Sequence, residues 1–181
     1  MFTMKRVGGF IVICLVVSSC ASLGPGQPPA EYAKQWTFCH LPMRDQPSAY
    51  AKLSIQEQLD TYLICVQYFH PPRLSLAYEF ARNGDRGVQL IVGKLATTTK
   101  EDTILDLIYA LKIISDSGNQ KTAIDGRVID SIRDAMRKLH DEWIKARSQE
   151  YFDAILNARA KSSQPRARPT PSTISTTTPT A

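Results

Sequence analysis

The 181-residue sequence has little from which to build a catalytic or cofactor site: three histidines, nine glycines, and no glycine-rich strand-to-helix turn that would cradle a phosphate. It also lacks the roughly twenty consecutive apolar residues that a permanent membrane-spanning helix needs. Positive charge is scarce where a nucleic-acid face would require it. The formal net charge is +5, but Lys5 and Arg6 lie at one end and Arg159, Lys161, Arg166 and Arg168 at the other, leaving −1 for residues 20–158. A near-neutral body excludes a basic nucleic-acid surface, so no nucleic-acid partner is expected. Strand pairs are missing as well. Val88–Val92 has the composition of a strand, yet no other segment offers it a partner. What is present, 43% hydrophobic and 22% charged residues, is enough for one ordinary packed core.

The first twenty residues have a distinct grammar. Lys5 and Arg6 form a short basic region, Val7–Val17 is apolar, and small residues precede Cys20. This is the pattern of a secretory signal, with an apolar run of about eleven residues. Its end, Val17-Ser18-Ser19-Cys20, resembles the lipobox of bacterial lipoproteins. The resemblance implies that residues 1–19 are removed and Cys20 carries a diacylglyceryl group and a further acyl chain on its amine. Two or more chains hold a protein firmly on a bilayer. Ala21 stands where an aspartate would resemble an inner-membrane retention signal, so the expected address is the outer membrane, facing the periplasm. The alternative is a plain secretory signal with Cys20 an incidental thiol.

Residues 20–30 include Gly24-Pro25-Gly26-Gln27-Pro28-Pro29 and read as a flexible tether. Residues 161–181 read as a disordered tail, because Ser162–Ala181 holds four serines, six threonines and four prolines. Between them, residues 31–160 are expected to form an all-α domain of about five helices. Ile55, Leu59, Tyr62, Val66 and Phe69 recur at helical spacing, and Ser54 with Glu57 has the form of a capping box. Pro71 and Pro72 end that helix and can open the next, which carries Leu74, Ala77, Phe80 and Ala81 and stops near Asn83-Gly84. A third helix near Gly87–Ala96 is apolar around most of its circumference, predicting a central position. The fourth is expected to start at a Thr98 or Thr99 cap and end near Gly118, with Ile104, Leu107, Ile108 and Leu111 on one face. A fifth segment from Thr122 to Leu156 places Ile132, Ala135, Leu139 and Trp143 on one face, with a possible break near Ser148. The architecture is then an irregular bundle or a short helical-repeat-like array. Pro72–Ala96 and Glu101–Leu139 are two candidate repeat pairs, one fewer than stacking usually requires.

With Cys14 removed and Cys20 lipidated, Cys39 and Cys65 are the thiols left in an exported domain, and a disulfide is expected between them; two separate buried thiols are the alternative. His40 and His70 lie close in sequence, but adjacent Cys39-His40 and Cys65-x4-His70 do not have zinc-ligand spacing, so no metal or cofactor is expected. His140-Asp141-Glu142 reads as a charged helix surface, with Arg137 and Asp141 spaced for an i,i+4 pair. Glu79, between Tyr78 and Phe80, is the one candidate general acid for a peptidoglycan-cleaving hydrolase, without the Glu-Ser pair and Gly-rich motifs of lytic transglycosylases. No catalytic set emerges. The expected function is a membrane-tethered, non-catalytic module that binds an envelope protein as accessory subunit or as inhibitor or immunity protein. Trp36 and Phe38 are the expected contacts, since aromatics are enriched among binding hot spots, with core packing of Trp36 the alternative. An envelope hydrolase or a small-ligand carrier is the alternative.

Overall fold

The computed structural model describes residues 30–117 and 125–162. The expected signal, Cys20, the tether, the Gly118 stop, the Thr122 start and nearly all of the tail lie outside them. The described residues form eight α-helices and no strand, so the domain is all-α. A 3-10 turn (Ala30–Tyr32) leads into α1 (Ala33–Cys39). Then come α2 (Gln46–Tyr50), α3 (Ile55–Gln67), α4 (Ser75–Ala81) and α5 (Gly84–Thr97). α6 (Glu101–Asp116), α7 (Gly126–Met136) and α8 (Glu142–Ser162) complete the fold.

Local sequence explains several of these boundaries. Ser54 caps α3 as its pattern predicts: its Oγ accepts from the Glu57 N–H, and the Glu57 carboxylate accepts from the Ser54 N–H at 2.9 Å. The prolines do not open α4. That helix starts at Ser75, and Pro71 and Pro72 stay in the exposed connection. Gly84 begins α5 at φ 52°, a backbone state that a side chain would strain. Neither Thr98 nor Thr99 caps α6, since Lys100 occupies the cap position; Thr98 Oγ1 instead accepts from the Lys100 N–H. The long C-terminal segment breaks at residues 137–141 rather than at Ser148, which is fully buried within α8. Asp141 sets the new start: its carboxylate accepts from the Ile144 N–H at 2.9 Å.

Six helices stack as three consecutive pairs, α3/α4, α5/α6 and α7/α8. α3, α5 and α7 lie side by side in one layer, and α4, α6 and α8 in the other. Side-chain bonds fix the directions. Asn83 Nδ2 donates to Gln58 Oε1 at 2.7 Å, joining the starts of α5 and α3. Lys138 Nζ donates to the carbonyls of Leu95, Ala96 and Thr98, closing the end of α5 with a cation from the end of α7. Glu101 Oε2 accepts from the Asp141 N–H at 2.9 Å, so α6 and α8 start together and run parallel. The array therefore has the order of a helical repeat, with three pairs whose register is one helix away from the two pairs expected.

The centre of the core is α6, not α5. Ile104, Leu107, Ile108, Ala110, Leu111 and Ile114 are inaccessible to solvent, with α3, α4, α5, α7 and α8 around them. α5 is one-sided: Val88, Ile91 and Leu95 face in, Leu90 and Val92 are half-buried, and Gln89 and Gly93 are exposed. α1 packs on α3 and closes the first pair.

Candidate functional site

The disulfide predicted from cysteine usage is present: Cys39 of α1 joins Cys65 of α3, with Cα atoms 5.4 Å apart and both residues fully buried. It consumes the thiolates that a Cys2His2 site would need. His40 instead packs its ring against Trp36 and Phe69, at 4.7 and 5.0 Å, and its Nδ1 meets the Trp36 carbonyl at 2.9 Å. The Arg73 guanidinium lies 4.6 Å over the Phe69 ring. Trp36, half-buried, is thus part of a surface cluster of three rings and a cation. Phe38 is not on that surface. It is buried against Tyr50, because residues two apart on a helix point to nearly opposite sides, and of the two expected contacts it is Trp36 that reaches the surface.

Glu79 is also not the isolated carboxyl that a general acid requires. Its carboxylate is bound at 2.9 Å by Arg82, one turn along. The His140-Asp141-Glu142 stretch is a helix entrance, with Asp141 as cap, and Arg137 pairs with Asp134 rather than Asp141. The buried acid with a perturbed pKa is Asp106, which the sequence reading passed over. Burial in α6 pushes it up to about 7, against the opposing hydrogen bond from Gln67; Asp102 raises it further, and Lys100 lowers it. Gln67 links it outward: its Nε2 donates to Asp106 Oδ2 at 2.9 Å and to Thr103 Oγ1, while its Oε1 accepts from Lys100 Nζ at 2.8 Å. Gln67, Thr103 and Lys100 line a cleft of about 220 Å³ that also includes Asp60, Lys94 and Tyr68. Asp106 is behind that wall rather than in it, so the network reads as packing of α3 on α6.

A larger groove, about 510 Å³, runs along the outer side of the last pair between α7 and α8. Met136, Leu139 and Phe152 form its apolar floor, and Arg133, Arg137 and Lys145 its charged rim, with Gln149 beside them. No carboxylate lines it. The acidic partners of these cations, Asp130, Asp134 and Glu142, sit three residues earlier on the same helices. Arg133 also reaches over the Phe152 ring at 5.9 Å. In the sequence these cations alternate with acids along a charged helix surface. The missing signal was the break at 137–141, which brings α7 and α8 side by side.

Among the described residues no group of three or more His, Cys, Asp or Glu side chains is placed to hold a metal ion, and no helix is long and apolar enough to cross a membrane. Comparison with protein-family models, with curated proteins and with solved structures found no match to this chain.

Proposed function

We propose that this chain is a bacterial envelope lipoprotein, held on the outer membrane by lipid on Cys20, whose helical body is a non-catalytic docking module. Its partner is an envelope protein that presents an acidic amphipathic helix to the α7/α8 groove, and the domain acts as accessory subunit or inhibitor. The observation that carries this reading is the groove itself: an apolar floor of Met136, Leu139 and Phe152 under a rim of Arg133, Arg137 and Lys145 without a lining carboxylate. An apolar stripe at i, i+3, i+4 and i+7 fits such a floor. The rim cations are available because their present pairs are exposed, and exposed ion pairs are worth about 0–1 kcal/mol, a small cost to exchange. The chain's own ends do not suit this groove: residues 163–181 carry only Arg166 and Arg168, and residues 20–30 carry no charge. Tethering raises the local concentration, so modest affinity is sufficient for occupancy.

A photocrosslinking residue in place of exposed Gln149, in the full chain expressed in its envelope, tests the reading. The expected result is one discrete adduct, with an acidic helical segment at the crosslink, that disappears in an Arg137→Glu background. Fatty-acid labelling should be lost in Cys20→Ala. Absence of the adduct, or peptidoglycan cleavage by the purified protein that Glu79→Gln abolishes, overturns the binding module in favour of another activity.

A further inference from the structure

We infer that the cluster formed by Trp36, His40, Phe69 and Arg73 is the face that this protein lays against the bilayer, with a lipid phosphate at Arg73. The inference rests on the lipid anchor proposed at Cys20, and reach is its first support. Ten residues separate Cys20 from Ala30. Fully extended they span at most about 35 Å, and as a flexible coil about 18 Å. The turn before α1 is consequently the part of the fold held nearest the membrane. α1 covers α3 at the first pair, with the α7/α8 groove at the far end of the stack.

Chemistry is the second support. The rings of Trp36, His40 and Phe69 meet edge to face within 4.7–6.1 Å, and Arg73 stacks on Phe69. Half-exposed indole and phenyl rings with a guanidinium match the membrane interface, where the ring bodies lie among upper acyl chains and polar edges stay hydrated. The third support is an unpaired charge. No carboxylate among the described residues forms an ion pair with Arg73. A phosphate diester supplies a negative charge for the guanidinium. Of the acids near it in the chain, Glu57 is paired with Lys34 and Asp45 with Arg44, while Glu31 in the turn before α1 is exposed.

Fluorescence quenching by lipid tests the assignment, since Trp36 and Trp143 are the only tryptophans. The full-length lipidated protein carrying Trp143→Phe, at a position 67% exposed, is reconstituted in phosphatidylethanolamine–phosphatidylglycerol vesicles with bromine on the acyl chains near the headgroups. The Trp36 emission is expected to lose most of its intensity relative to unbrominated vesicles. Trp143, read alone in Trp36→Phe, should keep its emission. Arg73→Glu should reduce the quenching of Trp36 while leaving the helical circular dichroism and vesicle flotation unchanged. Flotation separates the two claims. Protein that floats with Trp36 unquenched overturns the membrane face and leaves the anchor standing, and would make this cluster a protein contact instead. Protein that does not float overturns both.

Discussion

Replacing Asp106 with Asn should stabilise the domain at neutral pH and flatten its stability between about pH 4 and pH 7. The carboxyl is buried in α6 at 9% exposure, and burial raises its pKa from 3.8 to about 7. Below pH 3.8 the folded and unfolded chains both hold the proton, and burial costs no ionisation. Between 3.8 and 7 the folded state binds a proton that the unfolded state has released, so stability falls as pH rises; above 7 the penalty is constant. A gap of about three pKa units sets a ceiling near 4 kcal/mol, at about 1.4 kcal/mol per unit. A buried charge behaves as if in an effective dielectric nearer 20 than 4, which reduces the expected loss to about 1–2 kcal/mol. Asn keeps an oxygen for the Gln67 Nε2 donor and removes the charge. Glu57 and Asp125 have folded pKa values lowered, the first to about 2 by its bond with Lys34 and then by the Ser54 N–H, and the second by the Arg127 N–H. Their contributions are present above their unfolded values and lost as pH falls, the opposite sign, and they cancel between wild type and variant. Urea unfolding of both proteins at several pH values gives the difference directly. A variant less stable than wild type near neutral pH, or an equal slope in both proteins, would refute the argument.

Two further outcomes follow from α3 and its neighbours. Ser54→Ala removes the hydroxyl that accepts from the Glu57 N–H and should lower stability by about 1 kcal/mol in thermal unfolding, with Ser54→Thr restoring most of it. Reduction of Cys39–Cys65, which closes a separation of 26 residues, should cost about 3–4 kcal/mol in the chain-entropy account. A non-reducing tryptic map should hold one bridged peptide, and two freely alkylatable thiols would show that the cross-link is absent in the cell.

The parts of the fold legible in the sequence are those fixed by neighbours in the chain. The Ser54–Glu57 box and the helical spacing of Ile55, Leu59, Tyr62 and Val66 behind it identify α3 because both act within one or two turns, although the helix ends at Gln67, before Phe69. Extending an apolar stripe across a break failed at Trp143, which is two-thirds exposed. Leu139 still enters the core from the irregular segment, so the stripe looks continuous although the helix is not. Asp141 carried the correcting signal, since a short acidic side chain three residues before Ile144 suits a cap as well as a helix surface. Central position was misassigned for a different reason. α6 buries Thr103, Asp106 and Ser115 along with its aliphatics, so its burial exceeds what its hydrophobicity announces, while α5 exposes Gln89 and Gly93. The groove was not legible at all, because Arg133, Arg137, Lys145 and Phe152 become neighbours only when two helices pack.

A stack of helix pairs leaves two end faces, and each must be covered by polar residues, by another element or by a partner. At the first pair the cover is α1, whose Phe38 and Cys39 enter the core while the disulfide to Cys65 holds the helix down. The 100° step of the helix then turns Trp36 to the opposite side of α1 from Phe38, so the inward side closes the stack and the outward side keeps its rings in solvent. At the last pair no further helix follows α8 among the described residues, and Met136, Leu139 and Phe152 are bordered only by charged and amide side chains. One end is therefore sealed covalently and the other is left with an apolar floor and a rim of cations whose ion pairs are exposed. With the proposed anchor at Cys20, a chain entering at Ala30 holds the sealed end nearest the bilayer, and the α7/α8 groove lies at the other end of the stack.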